Sequence, residues 1–406
     1  MKRHGSHPIG IALAGGGPLG AIYEIGALVA LEDALEGIDL TGLDVYVGVS
    51  SGGVIAAGLA NGFTPRAMHA MFIDGETADI AFNPELLLRP AFAEYGRRIA
   101  SLPRLLVEAT RRYIENPWST GFFESFQRLA RAVPTGIFDN VGFNAFLSQL
   151  LSSPGRSNDF RTLGRKLYLV ATDLDTSKAV VFGAPGHDHV PISRAIQASA
   201  ALPGLFPPVE IEGRHYVDGA LMKTLHASVA LKEGARLLLC VNPLVPFNAD
   251  LAHEEGHANG FSLVDYGLPA VMNQTFRAII HSRMKTGMDR YRTDFPDADV
   301  MLFEAGRGDA EMFFTNVFSY AGRTRLAEHA YRRTLADLRR RADQLGPVLA
   351  RHGVRLNEDA INARNPRIVA GQARRRAADF RDTALDLGHA LDRLDNVLKV
   401  RATART

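Results

Sequence analysis

"VYVGVSSGGVIAAGLA", residues 45–60, decides how the rest of the chain is read. Val45 to Val49 make the unbroken apolar run expected of a strand covered on both faces. Gly53-Val54-Ile55-Ala56-Ala57 then opens a helix of small and apolar residues. Across the junction, Gly48-Val49-Ser50-Ser51-Gly52 matches G-x-S-x-G, the pattern that sets a serine on a sharp strand-to-helix turn. The backbone of such a turn is strained, and Gly48 and Gly52 leave room for it. The hydroxyl then stands above the sheet at the positive end of a helix, which makes Ser50 the candidate nucleophile.

Upstream lies a second turn of the same type, "IALAGGGPLGAIYEIG", residues 11–26. An apolar run ends at Gly15-Gly16-Gly17, and a helical pattern follows Pro18. Gly15, Gly17 and Gly20 have the G-x-G-x-x-G spacing of a dinucleotide loop. That reading asks for an acidic residue about 20 positions on, at the end of the second strand. Here that strand ends in Gly48-Val49-Ser50-Ser51-Gly52 instead, and Asp39 and Asp44 precede it. An acyl-transfer oxyanion suits the turn better, because it needs two or three backbone N–H donors from one or two turns. The expected hole draws on the Gly15–Gly17 turn and on the amide of Ser51. Pro18 lacks an N–H but is at home in the first turn of a helix.

Ser50 also needs a group to take its proton. Of the 13 histidines, His187 and His189 fall in a Gly/Pro/Asp turn, His215 precedes a strand and His226 lies in a helix, none with a motif around it. The acidic candidate stands in "GRHYVDGALMKTLH", residues 213–226: Asp218 closes a short strand and Gly219-Ala220 follows. A carboxylate at the C-terminal end of a strand faces the same crevice as the other two turns.

With these pieces in place the chain resembles the patatin-like phospholipases. The resemblance rests on Gly15-Gly16-Gly17-Pro18-Leu19-Gly20, Gly48-Val49-Ser50-Ser51-Gly52 and Asp218-Gly219-Ala220, with the approach "ASAALPGLFPPVEIEGRHYVDGAL" at 198–221. It covers about residues 9–225. It implies a three-layer α/β/α domain around a mostly parallel sheet and a serine–aspartate dyad without histidine. Ser50 would be nucleophile, Asp218 base, and Gly16 and Gly17 oxyanion donors. The family usually carries Arg or Lys where this chain has Leu19, which bears on anionic head groups.

Composition bounds the remainder. The 406 residues are 46% hydrophobic and 22% charged with a net charge of +2, so no global field points to nucleic acid. Cys240, the single cysteine, rules out an internal disulfide and a cysteine-rich metal cluster, and its apolar neighbours predict a buried thiol. No cofactor is implied. Asp173 and Asp175 read as a hairpin turn rather than a metal site, since no third ligand is spaced to join them. The apolar start, cut short by the glycine triplet, reads as the first core strand and predicts an intracellular, cytoplasmic protein.

The predicted strands are Ile9–Ala14, Val45–Val49, Lys166–Ala171, Ala179–Phe182, His215–Val217 and Arg236–Val241. The expected division is an acyl hydrolase domain over 1–245, containing a helical insertion or cap at 63–135 broken by Pro84, Pro90, Pro103 and Pro117, and a helical basic region over 246–406. Residues 321–406 hold 19 Lys and Arg against 10 Asp and Glu, while 1–320 hold 27 against 34. Leu385, Leu387, Leu391, Leu394 and Leu398 give the tail one apolar face. A solvated helical bundle is one reading of it; peripheral contact with an anionic membrane is the other. The function expected is hydrolysis of lipid acyl esters through an acyl-enzyme. An acyltransferase or thioesterase with the same nucleophile, and a nucleotide- or lipid-binding module without turnover, stand as alternatives.

Overall fold

The computed structural model describes residues 7–75, 83–87, 89–115, 132–254, 262–315 and 320–368. In chain order, β1 (Ile9–Leu13) leads into α1 (Gly17–Ala34), and β2 (Val45–Val49) into α2 (Ser51–Ala60). Helices α3 (Phe92–Glu115) and α4 (Val141–Leu151) precede the hairpin β3 (Lys166–Asp173) and β4 (Lys178–Phe182). After α5 (Ile192–Ser199) come β5 (Val209–Ile211), β6 (Arg214–Asp218) and β7 (Leu237–Asn242). The long α6 (Gly267–Asp294) then crosses to β8 (Asp299–Glu304), followed by α7 (Tyr320–Arg340).

The strands form one sheet in the order β5-β6-β3-β2-β1-β7-β8, with β4 added to β3. β1, β2, β3, β7 and β8 run parallel; β4, β5 and β6 pair antiparallel. β1, β2 and β7 are buried at every position, as helices on both faces of a parallel sheet require. On one face, Ala12, Ala14, Val47, Val49 and Cys240 pack with Ile280, Met284 and Tyr291 of α6. On the other, α1 carries Asp33, whose Oδ2 accepts the Tyr331 hydroxyl of α7 at 2.8 Å. Helix, sheet, helix is the three-layer α/β/α order.

Register brings the chemistry together. β4 takes one edge of β3 from Leu169 to Asp173, so β2 and β6 share the opposite edge end to end. Val170 pairs with Val49, and the next residue, Ala171, pairs with Asp218. Residues 168 positions apart in sequence thus meet at one point of one strand.

Three elements differ from the sequence reading. The region beyond 260 is mainly helical but contributes β8, which extends the sheet parallel to β7. β5, three residues long, was too short to show a period. Pro103 does not break its segment; it lies inside the continuous α3, on a helix that is largely exposed. The described residues up to Pro366 belong to one compact unit. The leucines of the basic tail, Pro117 and residues 116–131 of the insertion lie outside the described residues. Among those described, no helix is long and apolar enough to cross a membrane.

Candidate active site

β2 delivers Ser50 to the C-terminal edge of the sheet, and α2 starts at the next residue. Ser50 has φ 53° and ψ −125°, a conformation that costs a non-glycine residue about 1–3 kcal/mol and persists only when its surroundings hold it. The holding contact is buried: the Ser50 N–H donates to Ser199 Oγ at 2.8 Å, and Ser199 Oγ donates to the Val170 carbonyl at 2.6 Å. Ser199 is the last residue of α5 and fully buried. The sequence reading did not single it out, since a hydroxyl supporting a turn from 149 residues away leaves no spacing signal.

The Ser50 hydroxyl donates to Asp218 Oδ2 at 2.7 Å. Asp218 Oδ1 accepts the Ala220 N–H at 2.8 Å, which fixes the carboxylate plane. The backbone is pinned as well, by Asp218 N–H to the Ala201 carbonyl and by Thr172 Oγ1 to the Asp218 carbonyl. Asp218 is only 3% exposed. Burial disfavours its charged form, and the hydrogen bonds from Ser50 and Ala220 favour it; burial prevails, and the pKa rises from 3.8 to about 6.

The glycine turn closes over this pair. At Gly15 a Cβ would sit 3.0 Å from the Ser50 Cβ and 3.6 Å from its Oγ, so the turn lies directly against the hydroxyl. The Gly52 N–H donates to the Ala14 carbonyl at 3.1 Å and clamps the two turns together; a side chain there would place a Cβ 2.4 Å from that oxygen. Gly16 and Gly17 begin α1, with Gly17 at φ 61°, and Ser51 begins α2. First-turn amides have no carbonyl partner inside their own helix. Among the described residues, the amides of Gly16, Gly17 and Ser51 donate to no protein acceptor. Gly20 packs against Pro243 and Ser51, Gly48 closes β2 against α2, and Gly219 lies on the Val170 carbonyl. Ser50, Asp218, Gly15, Gly16, Gly17 and Ser51 therefore meet in one crevice. A hydroxyl in hydrogen-bond contact with a carboxylate of raised pKa, beside unpaired amides, can transfer a proton and hold an oxyanion.

The histidines stand apart. His226, at φ 44°, directs Nε2 to the Gly219 carbonyl at 3.4 Å, and burial lowers its pKa to about 4, so it is neutral. His189 faces Glu212, and His187 packs edge-on against Phe182. Asp173 caps the β3–β4 turn, accepting from the amides of Asp175 and Thr176 and from Arg214. No group of three His, Cys, Asp or Glu side chains among the described residues converges on a metal-sized space. Cys240 is buried in the core, and burial pushes its thiol pKa up. A cleft of about 500 Å³, lined by Pro8, Asp44, Lys166 and Glu233 among others, lies at the opposite end of the parallel strands.

Residues 11–231, just over half of the chain, match the family model described as patatin-like phospholipase. The chain belongs to the patatin-like phospholipase family. It is similar to the probable lipid hydrolase 463L of Invertebrate iridescent virus 6, with 22% identity over 218 residues, 53% of this chain and 61% of that protein. VipD from Legionella pneumophila aligns over 81% of this chain and 66% of its own at a TM-score of 0.36 and 14% identity. The type III effector ExoU, from Pseudomonas aeruginosa, aligns over 83% and 54% at a TM-score of 0.36 and 18% identity. The chain thus spans less than two thirds of the length of each of these proteins. Within the patatin-like unit described here, Leu19 sits half-buried at the start of α1, beside the Gly15–Gly17 turn.

Proposed function

We propose that this chain hydrolyses acyl esters of lipids, with Ser50 as nucleophile and Asp218 as its base. The observation that carries the reading is the 2.7 Å hydrogen bond from the Ser50 hydroxyl to Asp218 Oδ2, with no histidine between them. Ser50 Oγ attacks the ester carbonyl as its proton passes to Asp218 Oδ2. The carbonyl oxygen becomes an oxyanion and takes hydrogen bonds from the amides of Gly16, Gly17 and Ser51, with Gly15 forming the floor of the turn. Each such donor is worth on the order of 3 kcal/mol of barrier. Collapse expels the alcohol, which takes the proton back from Asp218. Water then attacks the acyl-enzyme, gives a proton to Asp218, and releases the fatty acid as Ser50 is reprotonated.

An ordinary aspartate, at pKa roughly 3.9, is a weak base for a serine. The rise to about 6 brings Asp218 closer to the proton it must take while keeping it ionised at neutral pH. The support for a lipid substrate is the family and the relative named as a probable lipid hydrolase. The helical insertion at 63–135 serves as a cap in this reading, and just after it the Ile137 and Phe138 amides donate to the carbonyls of Gly204 and Leu205, in the loop preceding the Asp218 hairpin.

The test is fatty-acid release from phospholipid, lysophospholipid and a long-chain monoester in mixed micelles, with and without an added alcohol acceptor. Release by the wild-type chain, lost by about 10³-fold in Ser50→Ala and Asp218→Asn, is the expected result. Transfer to the alcohol in place of release would make the chain an acyltransferase. Equal release from Ser50→Ala would remove the serine mechanism.

A further inference from the structure

Helix α6 is 28 residues long, whereas the strands it crosses between, β7 and β8, have six each. At 1.5 Å per residue the helix spans about 42 Å, against about 20 Å for such strands. The helix covers the sheet from Phe276 onward: Ile280, Met284 and Tyr291 join the core with Ala14 and Cys240, and Phe276 packs against it. The turns before Phe276 pass beyond the C-terminal ends of the strands. Gln274 and Arg277 tie this end of the helix to the loop after β7: Arg277 donates to the Val245 carbonyl and Gln274 holds Phe247 by both backbone groups. That loop starts at Pro243, which packs on Gly16 and Gly20. Leu268 therefore stands about 18 Å further along the helix than Ile280, on the side of the molecule where the Ser50 crevice opens.

The outward face of this helix changes character along its length. Toward its amino terminus it presents Leu268, Val271, Met272 and Ile279, from 37% to 72% exposed. Further along, past Ile279, the exposed charged positions are Arg283, Lys285, Asp289, Arg290, Arg292 and Asp294, four cations against two carboxylates. The helix has no acidic residue before Asp289. A helix face turned to bulk water is ordinarily polar throughout, so apolar exposure confined to one end calls for a separate environment at that end. An apolar tip above a collar of Arg and Lys is the pattern of a helix seated in an anionic bilayer surface, where apolar side chains enter the acyl boundary and long cationic ones reach the phosphates.

We infer that the amino-terminal half of α6 docks the protein on an anionic phospholipid surface, with Leu268, Val271, Met272 and Ile279 inserted and Lys285 and Arg290 against the head groups. This places the crevice mouth at the lipid surface; it rests on the reading of that crevice as a lipid hydrolase site.

The experiment is flotation of the full-length chain with vesicles of phosphatidylcholine alone and of equimolar phosphatidylcholine and phosphatidylglycerol. Turnover of a water-soluble short-chain ester and thermal melting are followed in the same samples. Binding to the anionic vesicles is expected. Leu268→Gln/Met272→Gln should weaken it by about tenfold or more, and Lys285→Gln/Arg290→Gln should remove the preference for the anionic lipid. Both variants should melt like the wild type and turn over the soluble ester equally. Wild-type binding retained by Leu268→Gln/Met272→Gln, or no vesicle binding at all, would overturn the inference. So would a lipid-free dimer dispersed by the same substitutions. Vesicle binding that follows these rules without any ester turnover would instead refute the proposed activity and leave the docking surface standing.

Discussion

Asp218→Asn separates the catalytic and the structural effects of one buried carboxylate. Asparagine keeps the shape, and its Oδ1 can still accept from the Ala220 N–H while its Nδ2 donates to Ser50 Oγ. What disappears is a buried charge. Asp218 titrates near 6 in the folded protein against 3.8 when exposed, so the folded state holds its proton more tightly than the unfolded state does. Stability is therefore untouched below about 4, falls as pH rises from about 4 to 6, and stays lower above that. The gap corresponds to roughly 3 kcal/mol at 1.36 kcal/mol per pH unit. Asp218→Asn should recover up to that amount at pH 8, about 4 °C in Tm for a unit of this size, and progressively less toward pH 5. Over the same range its kcat/KM should fall by about 10³-fold, because an amide cannot take the serine proton. Calorimetry and ester turnover on one sample at several pH values read both effects. A variant that is active to within a few-fold, or less stable than the wild type at pH 8, would refute the assignment of Asp218 as a desolvated base.

The wild-type kcat/KM should drop about tenfold per pH unit below about 6 and be level above it, as the ionised form of Asp218 is lost; a profile flat to pH 5 would contradict this. Ser199→Ala removes the acceptor of the Ser50 N–H, so it should cost about 1–3 kcal/mol in denaturant melts and slow acylation at least tenfold by relaxing the turn. Gly52→Ala drives a Cβ to 2.4 Å from the Ala14 carbonyl and should cost more than about 2 kcal/mol with loss of turnover, since it separates the two glycine turns. His226→Asn, at a left-handed position that asparagine tolerates, should leave turnover within about fivefold, as expected where histidine takes no proton from the substrate path.

Much of this fold was legible because its central strands are covered on both faces. Ile9 to Leu13, Val45 to Val49 and Leu237 to Val241 must be apolar throughout, and each stops at a turn whose residues announce it. The glycines of the two turns are read from sequence because close packing of backbone on backbone excludes every other residue there, as at Gly52. Asp218 was legible for a related reason: it ends a strand and a glycine follows, lying on the Val170 carbonyl. β8 was hidden because its strand, Asp299–Glu304, is an edge with half-buried polar ends, set between long helices. Ser199 was hidden because its partner is a backbone amide, whose position depends on the turn and not on any side chain. The overhang of α6 was hidden because its apolar positions, read alone, match a helix with one face in the core. Only the short strands beside it show that its first turns run past the sheet.

The most direct test of the central claim is covalent capture of Ser50 by a fluorophosphonate, followed by intact mass and peptide mapping. One adduct per wild-type chain, mapped to Ser50, absent in Ser50→Ala and formed about 10³-fold more slowly in Asp218→Asn, is the predicted result. A wild-type chain that takes up no reagent, or carries it on a different residue, would contradict the account.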